Sequence, residues 1–204
     1  MNSTQQLICG LVAGASLSAC ATTSAQFSWQ ASQRIDEFDD TRVCQVLHGT
    51  PSQRTAMRYA TRAGITLHFY AENRGGEVRA GVMTEPAIPI SGDVQIRVDD
   101  RSAIRLGLEE APIDEVATQS AGLAGVQQRA FETTMNVINQ TSSPYRALRG
   151  EEARELLRQI VSADRVIFRM VGTNRALSAT GEFAPDASFL DALTACGIGL
   201  NEGV

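Results

Sequence analysis

Four cysteines, two histidines and a set of arginines are the residues of this 204-residue chain whose types and spacing invite chemistry. Cys9 lies inside an apolar N-terminal run, and Cys20 closes the run Leu17-Ser18-Ala19-Cys20. Cys44 and Cys196 bracket nearly all of the remaining sequence with no cysteine between them. A redox pair normally has the Cys-x-x-Cys spacing that lowers one thiol's pKa, and no such spacing occurs. A structural Cys44–Cys196 bridge is therefore the expectation. Closing so long a loop is worth roughly 5 kcal/mol in the chain-entropy model, an upper figure.

The histidines offer less. A zinc site needs three or four ligands, and His48 and His68 are the only imidazoles. His48 ends a strand just before Gly49-Thr50-Pro51, and His68 lies on the Thr66–Tyr70 face of another. Two strand histidines can meet in space, but nothing local supplies their partners, so no catalytic residue and no metal is assigned. Arg54, Arg58 and Arg62 recur on one face of an alternating segment and would suit an anion. A salt-bridged surface is the plainer expectation for them. Asp36-Glu37-Phe38-Asp39-Asp40 lacks the alternating ligands, turn glycine and distal glutamate of a calcium loop, and reads as a solvated acidic entry to the domain.

Common active-site signatures are missing. There is no Gly-x-Ser-x-Gly elbow, no Gly-x-Gly-x-x-Gly after a strand and no His-Glu-x-x-His. All eighteen basic residues are arginine, which removes Schiff-base lysines, Ser–Lys dyads and P-loops, and no cofactor is expected. A net charge of −5 argues against a nucleic-acid partner.

The N-terminus gives an address. Leu7 to Leu17 is apolar and uncharged, about half of the ~20 residues a spanning helix requires and the length of a signal-peptide core. Leu17-Ser18-Ala19-Cys20 resembles the lipobox of bacterial lipoproteins. The resemblance implies that residues 1–19 are removed and that Cys20 becomes an acylated N-terminus. It makes the membrane a partner through Cys20, with Ala21 in place of aspartate implying the periplasmic face of the outer membrane. More than one acyl chain is needed for stable anchoring. The alternative is cleavage after Thr23-Ser24-Ala25 and a soluble periplasmic or secreted product. On either route the thiols meet an oxidising compartment.

Residues 20–33 are expected to form a flexible tether, with Trp29 packing on the domain, and residues 34–204 a single periplasmic domain. Its 43% hydrophobic and 20% charged content is that of a folded protein. Thr41 to Leu108 reads as strands. Ile65, Leu67 and Phe69 share a face, Asn73-Arg74-Gly75-Gly76 marks a turn, and Pro86 and Pro89 bar a central strand. Val94, Ile96 and Val98 and then Ile104, Leu106 and Leu108 form a hairpin whose parity requires an odd loop. A three-residue loop Asp99-Asp100-Arg101 sets Ile96 opposite Ile104, whereas five residues would oppose Arg97 and Arg105.

Helical spacing predicts helices over 125–140 (Phe131, Thr134, Met135, Ile138) and 151–163 (Ala153, Leu156, Leu157, Ile160, Val161). A closing strand pair around Gly172-Thr173-Asn174 and a last helix capped by Asp186, burying Leu190 and Leu193, complete the chain. The expected fold is α+β: an antiparallel β-sheet or small sandwich with two or three late helices and one structural disulfide.

The segment Pro89-Ile90-Ser91-Gly92-Asp93-Val94-Gln95-Ile96-Arg97-Val98-Asp99 and the terminal strand pair with its short apolar helix resemble periplasmic proteins of the invasion-associated locus B family. That resemblance implies a secreted host-interaction factor. The residues themselves point first to a non-enzymatic binding or accessory domain with an envelope protein partner, and second to a periplasmic hydrolase using His48 or His68.

Overall fold

Strand alternation and turn chemistry account for most of the architecture. The computed structural model describes residues 28–49, 65–112, 125–171 and 178–200. Nine strands are found among them: β1 Trp29–Ile35, β2 Arg42–His48, β3 Thr66–Arg74, β4 Glu77–Glu85, β5 Asp93–Val98, β6 Ile104–Leu106, β7 Tyr145–Arg149, β8 Val166–Val171 and β9 Ala179–Phe183. Three helices accompany them: α1 Val126–Ser142, α2 Gly150–Val161 and α3 Ala187–Ala195. The strands form two antiparallel sheets, β1-β2-β3-β4-β7 and β6-β5-β8-β9. The fold is α+β, with the bridge Cys44–Cys196 in place.

β3 and β4 are joined by the two residues Gly75-Gly76, both at positive φ, which only glycine adopts freely at both positions of a tight hairpin. The Asn73 carboxamide accepts from Gly76 N–H at 3.0 Å and fixes the turn. In the second sheet Ile96 stands opposite Ile104 and Gln95 opposite Arg105, the register that loop parity predicts. Asp99 takes φ 49° there, and its carboxylate accepts from the N–H groups of Asp164 and Arg165, tying the turn to the start of β8. β6 ends at Leu106, so Leu108 falls outside the strand and is partly exposed.

The inner face of the five-stranded sheet carries Cys44, Val46, Leu67, Phe69, Ala71, Val78, Ala80 and Val82, and three bodies cover it. α3 lies against β1 and β2, β8 and β9 cross β3, and α2 packs on β4 and β7. α2 behaves as its stripe predicts: Ala153, Leu156, Leu157 and Ile160 are buried, and Arg158 pairs with Glu151 and Glu155. α3 starts at the expected cap, where Asp186 accepts from Phe189 N–H at 3.2 Å. Its buried residues are Phe189, Ala192 and Leu193, while Leu190 is exposed. At 100° per residue Phe189 and Leu193 share a face, which Leu190 leaves.

One expectation needs correcting, and two features lie beyond the expectations. Residues 29–33 are not tether: Trp29 to Ile35 pair with β2 along its whole length and form an edge strand of the five-stranded sheet. Trp29 is buried as expected, and its backbone N–H donates to Ser188 Oγ on α3. Tyr145 to Arg149, to which the sequence reading assigns no element, form the edge strand β7. α1 is present, but none of its residues is buried, so the Phe131–Ile138 stripe does not face the core. The expected strand over 54–62 and the turn Gly172-Thr173-Asn174 lie outside the described residues.

Candidate functional site

A cavity sits beside the disulfide. It is an open bowl of about 430 Å³ lined by Cys44, Cys196, Arg42, Asn73, Gln33 and the Gly75-Gly76 turn. β2 contributes Cys44 from its inner face, and α3 contributes Cys196 as its C-cap residue. Two carboxamides hold the helix end against the sheet: Gln33 donates to the Ala195 carbonyl at 3.0 Å and Asn73 to the Cys196 carbonyl at 2.9 Å. Both amide side chains are engaged structurally. Arg42 is exposed and has no ion pair among the described residues, so it is the one formal charge the bowl presents. The volume is that of a small-ligand site, but such sites are mostly apolar and enclosed, and this one is half polar and open.

The two histidines border one cavity from opposite faces of the sheet, His48 on the inner face with Phe69 and His68 on the outer face with Tyr70. This second cavity is also lined by Trp29, Phe69, Phe168 and Phe183. Its volume is about 20 Å³, room for one water. His48 lies against Trp29 at 5.0 Å between ring centroids, and Trp29 in turn meets Phe183 and Phe189 edge-on. His68 is buried, with Nε2 3.4 Å from a Glu85 carboxylate oxygen, one pair further along the β3–β4 ladder on the same face. A carboxylate beside an imidazole is the arrangement that orients a catalytic base. Glu85 does not line the small cavity, and the His68–Glu85 pair lies on the opposite face of the sheet from His48 and Trp29.

The acidic run is a hairpin tip. Asp36 and Asp39 lie 3.3 and 3.7 Å from Arg74, and Asp39 accepts from the Thr41 N–H. That hydrogen bond first, and Arg74 less strongly, holds the Asp39 carboxyl below its ordinary value. Among the described residues no group of three or more potential ligands could hold a metal ion. Arg54, Arg58 and Arg62 lie outside the described residues, as does Cys20.

Sequence reasoning missed Arg146. It is fully buried on the inner face of β7, and its guanidinium donates to the carbonyls of Ile90 at 2.7 Å and Tyr145 at 2.8 Å. Burial pushes its pKa down, opposed by the charges of Asp93 and Glu110. It ties the Pro86–Pro89 crossing to β7, a structural duty. Because β7 itself was not foreseen, nothing marked this arginine among eighteen.

Fold and site together define a disulfide-stapled two-sheet α+β domain with an open bowl at the staple and a small aromatic cavity bordered by two histidines. No protein-family model, curated protein or solved structure matches the chain. Among the described residues no helix is long and apolar enough to cross a membrane.

Proposed function

We propose that this chain is an exported, envelope-anchored lipoprotein whose domain serves as a non-enzymatic binding or accessory unit at the periplasmic face of the outer membrane. The observation that carries the reading is the Cys44–Cys196 bridge across 152 residues, a bond that persists in oxidising compartments. The apolar leader and Leu17-Ser18-Ala19-Cys20 supply the route and the anchor. The absence of active-site signatures from the sequence favours binding over catalysis. The bowl beside the staple, with Arg42 at its wall, is the surface to test first. Cells fed an alkyne palmitate analogue should label the native chain and not a Cys20→Ala variant. Equal labelling of both, or free thiols at Cys44 and Cys196 in native material, would refute the reading.

One observation favours a second reading, a periplasmic hydrolase: the buried His68 beside Glu85. Turnover of any ester or amide substrate that disappears in a folded His68→Gln variant would establish it. Identical rates in variant and native chain would remove it.

A further inference from the structure

α1 is an amphipathic helix with its apolar half turned to solvent. At 100° per residue, Val126, Val137, Ala130, Ile138, Phe131 and Met135 fall within an arc of about 180°. Val126 is 82% exposed, Val137 and Ile138 48% each, and Phe131 37%. Two threonines within the arc do not spoil it. The Thr134 and Thr141 hydroxyls donate back to the Ala130 and Val137 carbonyls, which satisfies their polar ends locally. Gln127, and Ser142 in the last turn, interrupt the face. Among the described elements none packs extensively on α1.

The position of α1 says what covers it. Trp29 pairs with His48, Leu47 with Tyr70, Thr66 with Glu85 and Met83 with Tyr145, so these residues all mark one end of the five-stranded sheet. α1 runs into β7 at that end through Ser143 and Pro144, and the segment leading back to Cys20 enters β1 at the same end. The two points are four strand spacings apart, about 19 Å. Nine residues from Cys20 to Trp29 reach at most about 30 Å. An acylated Cys20 thus holds this end of the domain within reach of the lipid surface. The exposed Phe38 lies at the opposite end, among four carboxylates that an anionic lipid surface repels.

We propose that α1 lies on the membrane to which acylated Cys20 tethers the chain, with its Val126–Phe131–Val137–Ile138 face seated among the lipid acyl chains. This rests on the anchoring reading above and gives it a second contact. The only charged residues of α1 are Arg129 and Glu132, so attachment depends on apolar burial and not on anionic headgroups. Affinity of the helix alone is low, and the tether makes it effective by raising local concentration.

The test reconstitutes the acylated full chain in vesicles of equal phosphatidylethanolamine and phosphatidylglycerol carrying brominated acyl chains. Tryptophan is placed at Phe131→Trp or, on the polar face, at Asn136→Trp, with the native chain reporting Trp29 alone. The expected result is at least a halving of the added emission at position 131, little change at 136, and no dependence on salt. Equal emission with and without bromine at 131, or equal quenching at both positions, would overturn the proposal. So would a concentration-dependent dimer abolished by Phe131→Ser with Ile138→Ser, because a second copy would then be the occupant. Absence of palmitate incorporation would refute the anchor separately. In that case the same quenching on the unacylated chain at saturating lipid would uphold the helix contact, and no quenching would end it.

Discussion

Replacing both Cys44 and Cys196 by alanine tests the staple directly. The bridge spans 152 residues, for which the chain-entropy relation gives about 17 cal/mol/K, or about 5 kcal/mol at 25 °C. Engineered and native bridges often deliver less, so a loss of about 3–5 kcal/mol is expected. The folded state should survive, because α3 is still held by buried Phe189, Ala192 and Leu193 and by the Gln33 and Asn73 hydrogen bonds. The effect therefore falls on the unfolded chain, which expands once uncrosslinked and exposes more surface. In urea, with a slope of about 2 kcal/mol/M, the midpoint should drop by about 1.5–2.5 M, and the slope itself should rise. Reduction of the native chain in denaturant should reproduce both changes. An unchanged midpoint with an unchanged slope would refute the reasoning, because it would mean that the bridge constrains nothing the fold does not already hold.

Four further outcomes follow from particular contacts. Gly81→Ala would place a Cβ 2.0 Å from the Arg146 carbonyl oxygen and 2.6 Å from Ala147 Cα, so β4 and β7 must separate. The loss should be about 3 kcal/mol, read as a fall of roughly 6–12 °C in thermal midpoint. Gly181→Ala meets the Phe168 ring at 2.3 Å, inside the core, and should cost about 1–3 kcal/mol in urea titration. Arg146→Met leaves the Ile90 carbonyl without the guanidinium and the Tyr145 carbonyl with only the Ser143 hydroxyl, and a loss of about 2–4 kcal/mol is expected, with hydrogen-exchange protection reduced at Ile90. The Glu155 carboxyl is held below its ordinary value first by the Gln159 amide and then by Arg158. Its contribution is present above the ordinary glutamate value and lost as pH falls through the depressed one, so Glu155→Gln should slightly flatten the acid limb of the stability curve.

Much of this architecture is legible from local rules. The Gly75-Gly76 turn, the Ile96–Ile104 register, the α2 stripe and the Asp186 cap each depend on residues close in sequence, where turn chemistry and periodicity act directly. β7 was hidden because Tyr145-Arg146-Ala147-Leu148-Arg149 places charged residues on both faces, and its edge position is set by β4, some sixty residues earlier. Leu190 and Phe189 are neighbours of similar hydropathy, and only the approach of the aromatic cluster around Trp29 decides which turns inward. The histidines show the same limit. Their strands could be read, but not that His68 would lie beside Glu85, because that contact depends on the β3–β4 register.

The sequence by itself determined the pairing of Cys44 with Cys196, because the chain leaves them no other plain partner, and the Gly75-Gly76 and Asp99-Asp100-Arg101 turns, because these follow from residue type and short spacing. Only the tertiary structure decided that Trp29 opens a strand, that Arg146 is locked in carbonyls, and that the apolar half of α1 faces outward. A periodic stripe says that one side of a helix is greasy. Whether that side is covered depends on what packs against it, and no residue of α1 is buried.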